Sequence, residues 1–504
     1  MSLHIESTEE ALAALKQQRV KNLAAAVSVS ALGVAMTGLL LYLANIITFL
    51  PEPPSIITYP LENQGPEEPD TPELVRKATR PSNSPAGQQV KVIASSTPLH
   101  IAVPIPDLEQ DAPTEEFFTG IEIGDGIAFD DGEGPGWDKP DTDVLSKRCD
   151  LNDRMKRITE NGGTPQCEEA VVKSLKWLQK QQNRDGSWGD GPQNYKCAMT
   201  GLSLLSYLAH CETPLSEDFG DTVLKGISFL VDQGMKSPVI SLVPQMNEVS
   251  YDHAIATYAL CEAYTFCKQM DIPSIANLEK VVIKAVDKIL DNQNVDGGWA
   301  YNYNTKAGAH TDLSVTGWNV QALKAAEHGG IKPTKGDIRS TLRKASSYVR
   351  KNVMPDGKFA YKENGNMPRS SLVGVGVLSL QMTGNGSDSA ARKGLDWIKN
   401  NVKTLQWGQG SGTENVKSNL YMHYYCVQAA MNRGGDVWTS YNKAFRDAVL
   451  SGQNADGSFR KNDVGYVSGM TGKSENIYRQ CLATLMLETY YRFLPGTGEG
   501  TKNS

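Results

Sequence analysis

Asp252 and His253 are neighbours, and Asp312 stands at the matching place in a later copy of the same sequence pattern. A carboxylate and an imidazole that reach one substrate can act as an acid/base pair. Adjacent residues on a helix diverge by roughly 100°, which works against a shared target. Asp312 and Ser370 both fall where a helix would start, so capping competes with chemistry there. His423, beside Tyr424 and Tyr425, reads more readily as an interior histidine than as a ligand. Glu262 and Glu488 interrupt apolar stretches, and a buried carboxylate needs a partner; Arg369 and Arg479 are the candidates to supply it.

Aligning the copies sets Lys196, Asp252, Asp312, Arg369 and Tyr478 at one height, followed by Cys197, His253, Ser370, Tyr421 and Arg479. Helix starts gathered at one height would converge on one mouth of a central cavity. Asp252, His253 and Asp312 are then the catalytic candidates. Tyr251, Glu262, Ser370, Tyr421, His423, Arg479 and Glu488 are the candidates for ligand binding.

The pattern that sets these heights is complete in its first copy, Trp177-Leu178, then Gln182, Gly186 and Trp188. Its second half returns as Gln293, Gly297 and Trp299, and as Gln453, Gly457 and Phe459. A further copy has Val353 in the glutamine place, with Gly357 and Phe359. Two degraded copies, at Lys225 to Leu230 and Lys393 to Ile398, keep the phase and put turns near 240 and 408. A period of roughly 50 to 60 residues marks a repeat architecture. Before each turn runs a helix-spaced stretch with charge on one side, such as Glu168 to Gln182; after it comes one apolar all round, such as Ala254 to Phe266 or Val315 to Ala326. The first kind belongs outside and the second inside. Six outer and six inner helices predict an all-α fold, an α6/α6 toroid. An open solenoid is the alternative, but solenoids need polar capping repeats, and this chain ends its last copy on the apolar run Leu485 to Leu494.

Gln182-x-x-x-Gly186-x-Trp188 and its relatives resemble the repeat motif of the prenyltransferase and squalene-oxidase repeat superfamily, over about residues 166 to 495. Tyr251-Asp252-His253, Ser314-Val315-Thr316-Gly317-Trp318 and Leu487 to Pro495 are similar to a membrane-anchored, bacterial squalene-cyclase-like branch. The resemblance implies an α/α toroid. It also names what is missing. Triterpene cyclases of the superfamily protonate an alkene with an Asp-x-Asp-Asp motif, whereas Asp141-Thr142-Asp143-Val144 lacks the last aspartate and precedes the repeats. Protein prenyltransferases hold zinc through Asp, a Cys two residues on, and a distant His; Asp312, Ser314 and His423 lack the thiolate. The Gly-Cys-Gly-Glu-Gln of thioester proteins is absent as well. No metal and no cofactor are expected.

The chain has 504 residues, 40% of them hydrophobic, enough for a sizeable core. A net charge of -7, with no basic run interleaved with aromatics, argues against nucleic acid. Leu23 to Leu50 carries no charged residue and exceeds the roughly 20 residues that span a bilayer. Lys16, Arg19 and Lys21 precede it and Glu52 follows, so residues 1–22 are expected in the cytoplasm. The expected organisation is a single-pass anchor at 23–50 in a bacterial cytoplasmic membrane, a Pro-rich then acidic Gly-rich disordered linker at 51–148, an extracytoplasmic toroid at 149–495, and a short tail at 496–504. The acidic run Asp125 to Glu133 lacks the ligand spacing of an EF-hand. Eight cysteines permit disulfides in such a compartment, with Cys149 and Cys167 the first pair to test and Cys261, Cys267, Cys426 and Cys481 expected as buried thiols.

Two functions fit. One is a membrane-tethered binding or scaffold module for a peptide, a polymer, an apolar ligand or an envelope protein partner. The other is a terpenoid-cyclase or prenyltransferase-type enzyme acting on an isoprenoid. The missing acid motif and zinc thiolate favour the first.

Overall fold

The structure is a computed structural model and describes residues 148–492, apart from 192–194, 307–308, 363–365, 409–418, 461–469 and 471. All lie in the compact unit Asp107–Ser504. The expected cytoplasmic segment, anchor, linker with its acidic run, and tail fall outside the described residues. Among the described residues no helix is long and apolar enough to cross a membrane.

A lead helix, α1 (Leu151–Glu160), opens the fold, its first turn capped by Asp150. Six helical hairpins follow: α2 (Pro165–Gln181) with α3 (Lys196–Ala209), α4 (Gly220–Lys236) with α5 (Val249–Gln269), α6 (Leu278–Asp291) with α7 (Leu313–His328), α8 (Ile338–Lys351) with α9 (Val373–Met382), α10 (Ser389–Asn401) with α11 (Leu420–Arg433), and α12 (Gly435–Ser451) with α13 (Gly472–Glu488). Short antiparallel ribbons precede two inner helices. Strand β1 (Trp299–Ala300) pairs with β2 (Thr311–Asp312), and β3 (Phe359–Lys362) with β4 (Asn366–Arg369).

Charge patterning separates the two helix types. Helix α8 buries Ile338, Thr341, Leu342, Ala345, Tyr348 and Val349 and leaves its arginines and lysines outside, the single stripe of a helix covering a core. Its partner type, such as α7, is buried from Leu313 through Leu323. These inner helices pack in chain order, α3 on α5, α5 on α7, α7 on α9, α9 on α11 and α11 on α13, and α13 returns to α3. The outer α12 likewise meets α2. The last hairpin lies on the first, so the open alternative does not hold.

The repeat motif is the joint between hairpins. Gln182 Nε2 donates to the Gly186 carbonyl at 2.9 Å and to that of Thr222, on the next outer helix, at 2.9 Å. Gln293 repeats this with Gly297 and Thr341. In the last hairpin Gln453 reaches Ala170 and Ser174 of α2, across the seam. Gly297 and Gly457 have φ of +97° and +90°, and a Cβ on either would collide with a lysine carbonyl of the following outer helix, Lys344 and Lys173 respectively; only glycine combines that conformation with that approach. The indoles of Trp188 and Trp299 are fully buried and donate to the Leu178 and Ile289 carbonyls at 2.8 and 2.9 Å. Asp190 completes the seam by accepting from the Lys473 and Ser474 amides at the start of α13.

Cys149 bonds to Cys211, with Cα atoms 5.1 Å apart, and Cys167 is a buried free thiol. The expected Cys149–Cys167 pair is thus corrected. Arg154 supplies the reason: its Nη1 donates to both the Arg148 and His210 carbonyls, drawing the turn after α3 to the start of the domain. Cys261, Cys267, Cys426 and Cys481 are buried thiols.

Candidate functional site

Asp252 and His253 do not face one target. Asp252 Oδ1 accepts from the Ala198 amide at 2.8 Å and Oδ2 from the Ser241 hydroxyl at 2.8 Å, so the carboxylate caps the neighbouring α3. Burial pushes its pKa up to about 6, against the pull of these donors. His253 points outward. Its Nδ1 accepts from the Ile240 amide at 3.0 Å, leaving Nε2 to donate to Ala285 on α6 at 3.1 Å. Burial lowers its pKa to about 4, which keeps the ring neutral. The amides of Trp188 and Trp299 donate in the same way to Thr200 and Thr316, and that of Phe459 to Gln480. His253 therefore plays the acceptor of the second repeat, and the acid/base pairing with Asp252 is corrected to two joints of the ring.

His423 also faces an outer helix, its Nδ1 2.8 Å from the Tyr441 hydroxyl of α12. Ser370 is buried at the start of a short 3-10 turn, Ser370–Leu372, ahead of α9. Arg479 bonds Asn476 and Glu475 on its own helix, and Arg369 lies over the Tyr361 ring, 5.1 Å from its centroid. The expected partners of the buried glutamates are corrected accordingly. Glu262 pairs with Arg492 at 3.1 Å, and neither oxygen of Glu488 has a hydrogen-bond partner. Burial holds the Glu488 carboxyl well above the usual carboxylate range, despite Arg492, Arg148 and Arg154 nearby.

Asp312, Tyr251 and Tyr421 do come together. Asp312 has no solvent exposure and caps α7, its Oδ1 accepting from the Ser314 amide at 2.6 Å, the Val315 amide at 3.2 Å and the Ser314 hydroxyl. Since the Ser314 hydroxyl gives its proton to Asp312, the Tyr251 hydroxyl donates to Ser314, at 2.6 Å. Asp312 Oδ2 is buried, and the Tyr301 and Tyr361 hydroxyls bear on the carboxylate as donors. Half-buried aromatic rings from successive hairpins surround it. Tyr251 lies 5.7 Å from Tyr301, Tyr301 lies 6.3 Å from His310, and His310 lies 5.6 Å from Tyr361. The Tyr301 and Tyr361 hydroxyls bond each other. Burial and then the Asp312 charge raise the pKa of both phenols, while burial and Lys362 lower that of His310. Tyr421 packs edge-on against Tyr425 and also feels the Asp312 charge.

Beneath this mouth side chains of inner helices that are not neighbours in the ring meet one another. Trp318 of α7 stacks on Tyr424 of α11, two hairpins away, at 5.9 Å. Gln321 donates to the Tyr425 hydroxyl at 2.8 Å. Further along, Arg492 reaches Tyr258 and Glu262 of α5. Among the described residues no cluster of three or more His, Cys, Asp or Glu could hold a metal ion.

Tyr301, Tyr361 and His310 belong to the mouth and were missed from sequence, as was Arg492 as the partner of Glu262. A signal existed for the tyrosines: Trp299-Ala300-Tyr301 and Phe359-Ala360-Tyr361 repeat a tyrosine two residues beyond the aromatic that closes the motif.

No family model matches the chain, and no curated protein does. Among solved structures it is similar to an α-1,6-mannanase from Salegentibacter sp. HEL1_6, at 12% identity and a TM-score of 0.48, over 64% of this chain and 98% of that one. Type II terpene cyclase MstE from Scytonema is similar at 13% identity and a TM-score of 0.41, over 64% and 98%. A protein from Actinoplanes is similar at 12% and 0.43, over 64% and 99%. The site described above rests on this chain's own residues.

Proposed function

We propose that the ring is a ligand-binding module whose working surface is the mouth around Asp312, carried outside a bacterial cytoplasmic membrane by the anchor at 23–50. The observation that carries this is the buried Asp312 carboxylate, against which the half-exposed tyrosines of successive hairpins converge, Tyr301 and Tyr361 with their phenols donating to it. A hydroxyl that donates to a buried carboxylate is polarised and becomes the stronger acceptor, which suits a polar ligand seated among the rings. The Cys149–Cys211 bond supports an oxidising compartment. The repeat motif supports kinship with the prenyltransferase and squalene-oxidase repeat superfamily, without its chemistry. An isoprenoid needs a long apolar chamber, whereas inside the ring Trp318 stacks on Tyr424 and the charged pair Arg492–Glu262 is buried.

The test is a ligand-observed NMR screen of saccharides, amines, peptides and prenyl diphosphates against the protein and its Asp312→Asn variant. Binders that the variant loses support the module. Binders indifferent to both Asp312 and Tyr301 place the working surface elsewhere. Cyclisation of a prenyl compound that depends on Asp312 would favour the enzyme instead.

A further inference from the structure

We propose that the outer face of α8 is a docking surface for an acidic stretch of polypeptide, and that its occupant is this chain's own segment 107–143. Charge on the face is the first argument. Outer helices α4, α6 and α12 balance their basic residues with acidic ones, whereas α8 carries Arg339, Arg343, Lys344, Arg350 and Lys351, all exposed, and no acidic residue. Lys332 and Lys335, also exposed, extend the face ahead of the helix. Arg339 pairs with Glu327, and Arg350 with Asp388, the cap of α10. Among the described residues Arg343, Lys344 and Lys351 have no acidic partner. Stability does not call for this pattern. Arg339 and Arg343 stand one helical turn apart, where like charges destabilise, and neither lies near the C-terminus that the helix dipole favours for cations. A helix that needed only a solvated outer side would mix its charges, as α6 does.

The occupant is the second argument. Segment 107–143 holds thirteen Asp and Glu against the single Lys139, and it ends five residues before Arg148, where the described chain begins. Residues 144–504 hold forty-two Lys and Arg against thirty-five Asp and Glu, so the net charge of -7 divides into an acidic lead and a basic ring. Complementary potentials fix partner and register more than they add raw affinity. Covalent attachment supplies the rest, since a tethered partner acts at an effective concentration in the millimolar range. The reach is sufficient. Cys149 is fastened to the first hairpin through Cys211, three hairpins from α8, and packed helices stand about 8–10 Å apart. A stretch the length of 107–143 covers up to roughly 120 Å. Docking takes length out of the linker between the ring and its proposed anchor, so release by salt or a competing polyanion extends the reach of the ring. None of these residues belongs to the mouth around Asp312.

The experiment is carbodiimide cross-linking of the full chain, in a polyoxyethylene detergent at low salt, followed by peptide mass mapping; the reagent joins a carboxylate directly to a lysine amine that it touches. Carboxylates of 107–143 are expected on Lys344 and Lys351 at least fivefold more often than on the exposed Lys225 of α4, Lys280 of α6 or Lys443 of α12. Molar salt, which cuts the screening length to about 3 Å, is expected to reduce these products at least fivefold. Arg339→Glu together with Arg343→Glu leaves both lysines as reporters and is expected to reduce the products at least threefold; if that variant fails to fold by thermal melting, the salt comparison decides. Even labelling of lysines on all the outer helices overturns the docking, as does labelling of Lys344 and Lys351 that ignores both salt and the reversed charges. No labelling of either lysine overturns it too. Products that join a heavy-isotope chain to a light one give the face to a second copy. Loss of the products on moving from phosphatidylcholine to phosphatidylglycerol vesicles gives it to lipid headgroups, and either result removes the segment as occupant.

Discussion

Gly457, in the turn of the last hairpin, lies directly against the backbone carbonyl of Lys173 on the first outer helix, so a Cβ there would collide with it. Gly297 has the same relation to Lys344 within the ring. If the seam is a joint like the others, Gly457→Ala and Gly297→Ala should destabilise the domain alike, each on the order of 1–3 kcal/mol for a strained left-handed residue. Urea unfolding measures this. A neutral Gly457→Ala beside a costly Gly297→Ala would mean that the ring is open in solution.

Trp299→Ala should cost about 3–5 kcal/mol, the range for truncating large buried aromatics, because the indole is fully buried and its Nε1 also satisfies the Ile289 carbonyl. Thermal and chemical unfolding would show it. A loss below about 1 kcal/mol would mean that the indole does not join the turn to its outer helix.

The joints were legible because the constraint is local and repeated: Gln, Gly and Trp recur at fixed spacing since each hairpin solves the same packing problem. The mouth was less so. Asp312 and Tyr421 could be placed by aligning helix starts, but Tyr361 sits in a ribbon strand and Tyr301 in the turn just past another, which the helical period does not describe. The roles of Asp252 and His253 depend on which neighbour each side chain meets, α3 or α6, and a single chain's spacing does not encode that. Arg492, at the end of the last hairpin, pairs with Glu262 of the second, a contact created by closure alone.

The two buried groups make opposite contributions to pH dependence. Asp252 titrates at about 6 in the fold against an ordinary 3.8, so the folded state binds more protons between about 4 and 6 and stability falls as pH rises there. His253, lowered from 6.5 to about 4, makes the unfolded state the better proton binder, so stability rises over nearly the same window. Each displacement of roughly 2 units corresponds to about 3 kcal/mol. Removing the titration with Asp252→Asn should therefore make stability, relative to the unaltered protein, rise by about 2 kcal/mol from pH 4 to 6. Parallel urea profiles across that range would show that Asp252 is not buried as described.

Peptide mapping without reduction should recover Cys149 joined to Cys211, and Cys211→Ser should lower stability by about 2–5 kcal/mol. A Cys149–Cys167 peptide would instead place the start of the domain against α2.

The most direct test of the binding mouth is fluorine NMR on protein carrying 3-fluorotyrosine, with the resonances of Tyr251, Tyr301, Tyr361 and Tyr421 assigned by single Tyr→Phe variants. Titration with a compound found in the screen should shift these four together and leave in place the resonance of Tyr207, which is buried on α3 and donates to the Leu175 carbonyl of α2. Shifts confined to other tyrosines, or binding that leaves all four unmoved, would contradict the assignment of the working surface to the mouth around Asp312.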